Sequence, residues 1–112
     1  MQAVVKPWGK TRLLHLSAVT EVWHASIKAG GRSSWHRHER KHNAFHVVSG
    51  ELRVHAEPDS CYHAQAGQSV VILAGRRHQF EAISDVELIE TYWIDSVDPA
   101  DIIREIEVPL GQ

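Results

Sequence analysis

Short runs of β-branched, aliphatic and aromatic residues, each closed by a glycine, proline or serine turn, follow one another along the chain. Val19 to Ile27 mixes Val, Trp, Thr and Ile, and Phe45 to Val48 meets Glu51 to His55 across Ser49-Gly50. Ser69 to Leu73 is a compact apolar run, and Gln79 to Ile83 and Val86 to Ile94 continue the style. Such residues suit pleated, half-buried surfaces. Further turn signals fall at Pro7-Trp8-Gly9, Gly30-Gly31, Pro58-Asp59-Ser60, Gly67, Gly75 and Ser84-Asp85. Strands this short and this evenly punctuated predict an all-β sandwich, jelly roll or barrel and argue against a helical bundle. One helix start is present: Asp98 as N-cap, Pro99 at the first helical position and Asp101 in the first turn, ahead of Ile102-Ile103-Arg104. It predicts a short C-terminal helix after the last strand.

Length and charge narrow the function classes. A chain of 112 residues fits one domain. Its 43% hydrophobic and 23% charged residues are ordinary globular usage and exclude a disordered or low-complexity chain. A net charge of -2 gives no basic stripe for phosphate backbones, so no nucleic-acid partner is expected. Cys61 stands alone, which forbids an internal disulfide, and Met1 to Lys10 does not read as a secretory leader. A cytoplasmic protein without a membrane partner is therefore the expectation, since no apolar run approaches the ~20 residues needed to span a bilayer.

Histidine is the candidate chemistry. His36, His38, His42 and His46, four of the chain's nine, fall within residues 36–46. Imidazole is the commonest ligand for transition metals, and residues i and i+2 on a strand face one way, so His36 and His38 can hold one ion together. On a strand beginning near Asn43, residues 43, 45 and 47 share a face and His46 points to the other. His42 then reads as a loop residue. His15, His24, His55 and His63 have no partner evident in the sequence and read as surface or structural residues. Trp8, Trp23, Trp35 and Trp93 read as core or dimer packing rather than ligand stacking.

The spacing of these residues is more specific. Gly30 is followed by His36, His38, Asn43 and Gly50, and Gly67 by Leu73, Gly75, His78 and Ala82. This resembles the two-part signature of the cupin superfamily, G-x5-H-x-H-x4-E-x6-G followed by G-x5-P-x-G-x2-H-x3-N. The resemblance implies a double-stranded β-helix, or jelly-roll barrel, forming a single domain over residues 1–112 with its core barrel at about residues 19–95. It also implies a divalent metal, Zn, Fe, Mn or Ni, held by His36, His38 and His78. Asn43 stands where the family glutamate belongs, Leu73 replaces a proline, and Ala82 replaces an asparagine. An amide oxygen is neutral and a weaker ligand than a carboxylate, which favours three histidines plus water, with Asn43 or His42 left to complete the set.

The flanks carry the resemblance further. Lys6-Pro7-Trp8-Gly9, the Phe45 to Gly50 stretch and Asp101-Ile102-Ile103-Arg104 are similar to segments of the type II mannose-6-phosphate isomerase cupins. That implies a small-molecule substrate and sugar-phosphate isomerase activity. A three-histidine Fe(II) dioxygenase and a non-catalytic small-molecule-binding cupin are the alternatives. Family habit also implies a homodimer, for which Val19 to Ile27 and the Trp-rich segments offer a surface.

Strand parity supplies the remaining candidates. If His78 points inward, Phe80 does too and becomes a pocket wall, as Phe45 does beside Asn43. Glu90 shares parity with Leu88 and Tyr92. It is either an inward general base or part of a solvated strand face. Arg53, Arg76 and Arg77 are candidates for holding a phosphate or carboxylate, with Arg53 assigned to the substrate pocket. Cys61 has no activating neighbour in the sequence and is given no role.

Overall fold

Alternating burial drives this chain into strands. In the strand Glu51–Ala56, Leu52, Val54 and Ala56 are buried while Glu51, Arg53 and His55 are not. The computed structural model describes residues 3–95, and among them are nine strands and no helix. They are β1 (Ala3–Lys6), β2 (Gly9–Leu16), β3 (Thr20–Ile27), β4 (His42–Ser49), β5 (Glu51–Ala56), β6 (Ser60–Gln65), β7 (Ser69–Ile72), β8 (His78–Ala82) and β9 (Val86–Trp93). The helix predicted from Asp98 lies outside the described residues.

All pairings are antiparallel. One sheet runs β1-β2-β3-β9-β4-β7 and the other β6-β5-β8. The inward faces of the two sheets meet in a core built around Phe45, Leu52, Val54, Ile72, Val86 and Leu88. This is the all-β architecture that the run pattern predicted, in the jelly-roll form that the cupin resemblance implied. At the β4–β5 corner Gly50 adopts φ +88, and a Cβ there would fall 2.1 Å from the Asp85 carbonyl oxygen, so only glycine fits the turn.

Three features differ from the sequence reading. The N-terminal hairpin β1–β2 was not anticipated, because its residues are mostly exposed and show no alternating buried face. β6 was not anticipated either. The Val19 to Ile27 segment, expected as a dimer surface, is an interior strand flanked by β2 and β9, and the edges of that sheet are β1 and β7. An interior strand has both backbone edges satisfied and offers no edge to a partner.

The segment between β3 and β4 positions the histidines. It runs alongside β8 without regular pairing, joined by the Arg32–Glu81 and His36–His78 bridges. Ser33 N donates to Phe80 O at 3.1 Å, and the Ser33 hydroxyl accepts from Phe80 N at 3.0 Å. His36 and His38 therefore enter the barrel from an irregular segment rather than from a ladder strand.

Candidate metal centre

His36, His38 and His78 converge. One ring nitrogen from each lies within 4.8 Å of those of the other two, and the ring centroids of His36 and His78 are 4.5 Å apart. Backbone carbonyls set the tautomers of two of them. His36 Nδ1–H donates to Ser34 O at 2.8 Å and His78 Nδ1–H donates to Arg76 O at 2.9 Å, leaving each Nε2 with a free lone pair. The Nε2 atoms of His38 and His78 are buried and have no hydrogen-bond partner among the described residues. Buried nitrogens without partners are costly unless something else binds them, and the donor set fits a divalent ion.

The electrostatics favour the ligating form. Burial, followed by the charges of His36 and Lys41, lowers the His38 imidazole to about 4. Burial also lowers His78, partly opposed by its bond to the Arg76 carbonyl. Both rings are held neutral at physiological pH, as a metal requires.

Asn43 is 1% exposed on the inward face of β4. Its Nδ2 donates to Thr91 O at 3.4 Å, and its Oδ1 is buried without a partner among the described residues. Glu90 stands on β9 opposite Phe45 on β4 and Trp23 on β3. Burial raises its carboxyl to about 7, against the lowering effect of hydrogen bonds from Tyr92 and Asn43. Burial and the Glu90 charge push the Tyr92 hydroxyl upward in turn.

Glu90 and Tyr92 share a cleft of about 510 Å³ with His36, His38, Trp8, Trp23 and Phe80. On one wall Lys41 Nζ donates to Glu21 Oε2 at 2.6 Å and sits 4.7 Å from the Tyr92 ring centroid. The Lys41 bond is the main reason the Glu21 carboxyl is lowered. Phe45 is fully buried beneath the site, with its ring 6.1 Å from those of His78 and Phe80. It forms a floor, while Phe80 forms part of the wall.

Several sequence assignments move. Arg53 does not reach the cleft: it lies between buried Leu52 and Val54, on the outer face of β5, and its Nη1 donates to Glu81 Oε1 at 3.4 Å. Arg76 and Arg77 are committed elsewhere, Arg76 to Glu57 O and the Tyr62 hydroxyl and Arg77 to the Glu57 carboxylate. His42 begins β4 rather than lying in a loop. Its Nδ1 accepts from Ala74 N at 2.9 Å and its Nε2 donates to Asp95 at 2.5 Å, so both ring nitrogens are occupied. His24 pairs with Glu87, His55 with Glu81, and His63 with Cys61, partners that lie on the same sheet faces. Trp8 packs against the core, as expected, and also lines the cleft, as Trp23 does, while Trp35 is 40% exposed with Arg77 5.3 Å above its ring.

Glu21, Lys41 and Tyr92 were missed as cleft residues. For Glu21 the signal was present, since it shares strand parity with Trp23, Ala25 and Ile27, the last two of which are buried. Lys41 lies in an irregular segment and carried no periodic signal.

Comparison with known proteins agrees with this geometry. The family model described as "Cupin domain" matches residues 23–94. No curated protein matches the sequence. Among solved structures, the chain is similar to KdgF from Halomonas sp. at TM-score 0.76 and 18% identity, covering 85% of this chain and 89% of that one. It is similar to ectoine synthase from P. lautus at TM-score 0.73 and 16% identity, covering 82% and 68%. It is also similar to the Cnp3 cupin domain of Schizosaccharomyces pombe at TM-score 0.72 and 14% identity, covering 78% and 65%. At these identities the structures speak for the fold alone, whereas the family model spans well over half the chain. With a jelly-roll barrel whose first-motif and second-motif histidines meet at one point, this chain belongs to the cupin domain family.

Proposed function

We propose that the protein is a metal-dependent enzyme that isomerises a small sugar phosphate, as the type II mannose-6-phosphate isomerase cupins do. His36, His38 and His78 hold the divalent ion, and Asn43, whose buried Oδ1 has no partner among the described residues, supports a reading as a further, neutral ligand. When bound, the metal polarises a carbonyl oxygen of the substrate. Glu90 takes the proton from the carbon beside that carbonyl and returns it to the former carbonyl carbon, while a hydroxyl proton passes between the two oxygens. Tyr92 and Asn43 hold the Glu90 carboxyl in place. Phe80, above the Phe45 floor, shields the reacting carbons from water.

The observation that carries this reading is Glu90: a carboxyl raised to about 7 by burial, lining the same cleft as His36 and His38. A general base is most effective when its pKa lies near the working pH. Metal-loaded protein assayed against a panel of aldose and ketose phosphates tests it, and absence of turnover across that panel contradicts it.

The amide at position 43 supports a second reading, a three-histidine Fe(II) dioxygenase, because no carboxylate joins the imidazoles. Oxygen uptake by anaerobically Fe(II)-loaded protein supports that alternative, and its absence removes it. In either case the chain works as one domain over residues 1–112, cytoplasmic and homodimeric. The dimer reading is supported by the edge strand β1, where Val5 is 83% exposed. No helix among the described residues is long and apolar enough to cross a membrane.

A further inference from the structure

The stretch matched to the family begins at residue 23, but the cleft begins earlier. Lys6, Pro7, Trp8, Thr11 and Glu21 all line it, carried by β1, β2, the turn between them and the first residues of β3. The β1–β2 hairpin is fixed in place over the barrel mouth. The Trp8 ring meets Phe80 edge-to-face at 5.0 Å, and the Trp8 carbonyl accepts from Lys28 N at 3.0 Å. Gly9 packs so close to β3 that a Cβ there would fall 2.0 Å from the Ser26 carbonyl oxygen. The hairpin is a preformed wall of the site.

Charge distinguishes one residue on that wall. Three cations line the cleft, Lys6, Arg32 and Lys41. Arg32 bonds Glu81 at 2.7 Å and Lys41 bonds Glu21 at 2.6 Å, whereas Lys6 has no ion-pair partner among the described residues. Beside it Trp8, Trp23 and Tyr92 present aromatic surface suited to a carbon skeleton. A cleft of about 510 Å³ accepts a molecule of sugar size.

Building on the metal-dependent reading above, we infer that Lys6 determines ligand specificity: it binds the anionic oxygens, phosphate or carboxylate, of a small polyhydroxylated ligand whose other end reaches the three histidines. Trp8 packs against the carbons between the two ends. The shared family stretch then supplies the metal centre, and the hairpin ahead of it selects the ligand. Lys6 lies on an exposed edge strand, so its replacement leaves the core untouched.

The test is calorimetric titration of the zinc-loaded full chain with mannose 6-phosphate, mannuronate and mannose. The charged sugars bind at least about tenfold more tightly than mannose, the effect of one charge-assisted contact. Lys6→Gln abolishes that preference and Lys6→Arg retains it, with zinc affinity unchanged in both, and whichever charged sugar binds more tightly identifies the anion. If Lys6→Gln keeps the preference while His78→Ala loses binding, the assignment of Lys6 is overturned and the metal reading stands. If no sugar binds the wild type, or binding is indifferent to zinc, the metal reading fails and the Lys6 assignment fails with it.

Discussion

His36 and His78 are bonded to each other through their main chains in both directions, His36 N to His78 O at 3.0 Å and His78 N to His36 O at 2.8 Å, with their rings 4.5 Å apart. The backbone thus fixes the separation of the two imidazoles independently of any metal. Removing one of them opens the set but leaves the bridge. His78→Ala is expected to lower zinc affinity by more than about 100-fold, beyond what loss of a supporting partner costs. Competition with a chromophoric chelator measures it.

Arg76 supports the same site from behind. Its carbonyl holds His78 Nδ1, and its guanidinium is tied to Glu57 O at 2.7 Å and the Tyr62 hydroxyl at 2.7 Å. Arg76→Ala frees that turn without touching a ligand. Zinc affinity is expected to fall by about tenfold, the lower end of the cost of losing a supporting partner, with the thermal midpoint nearly unchanged.

Acid should unfold the metal-free protein through the histidines. His38 is lowered to about 4 and His78 is also lowered, while unfolded imidazoles titrate near 6.5. Below that value the unfolded chain binds protons that the native state resists, so stability is lost as pH falls from about 6.5 toward 4. Urea midpoints across this range check the slope, and replacing His38 with Gln should flatten it.

Glu90 contributes the opposite sign. Its native carboxyl is raised from 4.5 to about 7, so the unfolded chain releases the proton first and stability falls as pH rises through that window. Glu90→Gln should therefore be more stable than the wild type at pH 8. As a general base Glu90 must be ionised, so turnover should rise through about pH 7 and drop by about 10²–10⁴-fold in the variant, with zinc affinity retained. Rate profiles and urea midpoints on the same two proteins separate the catalytic role from the structural one.

Much of the barrel was legible because period-2 alternation reports a strand and its buried face together. Asn43, Phe45 and Val47 were placed on one face by parity alone, and all are buried. The same rule, applied to Leu52-Arg53-Val54, would have turned Arg53 outward, where Glu81 meets it. The three clustered histidines were legible from motif spacing, since a shared ion would constrain their types and intervals. The Lys41–Glu21 pair was not, because it joins an irregular segment to a strand 20 residues away and follows no period. The β1–β2 hairpin escaped because an exposed edge strand has no buried face to pattern it.

The central claim is that His36, His38 and His78 hold one metal ion. Elemental analysis of the purified protein beside its His36→Ala/His78→Ala variant tests it most directly. About one equivalent of divalent metal per folded wild-type chain and none in the variant is the predicted result. Folded wild-type protein that stays metal-free after exposure to Zn and Fe(II), or a variant that keeps its metal, would contradict the account.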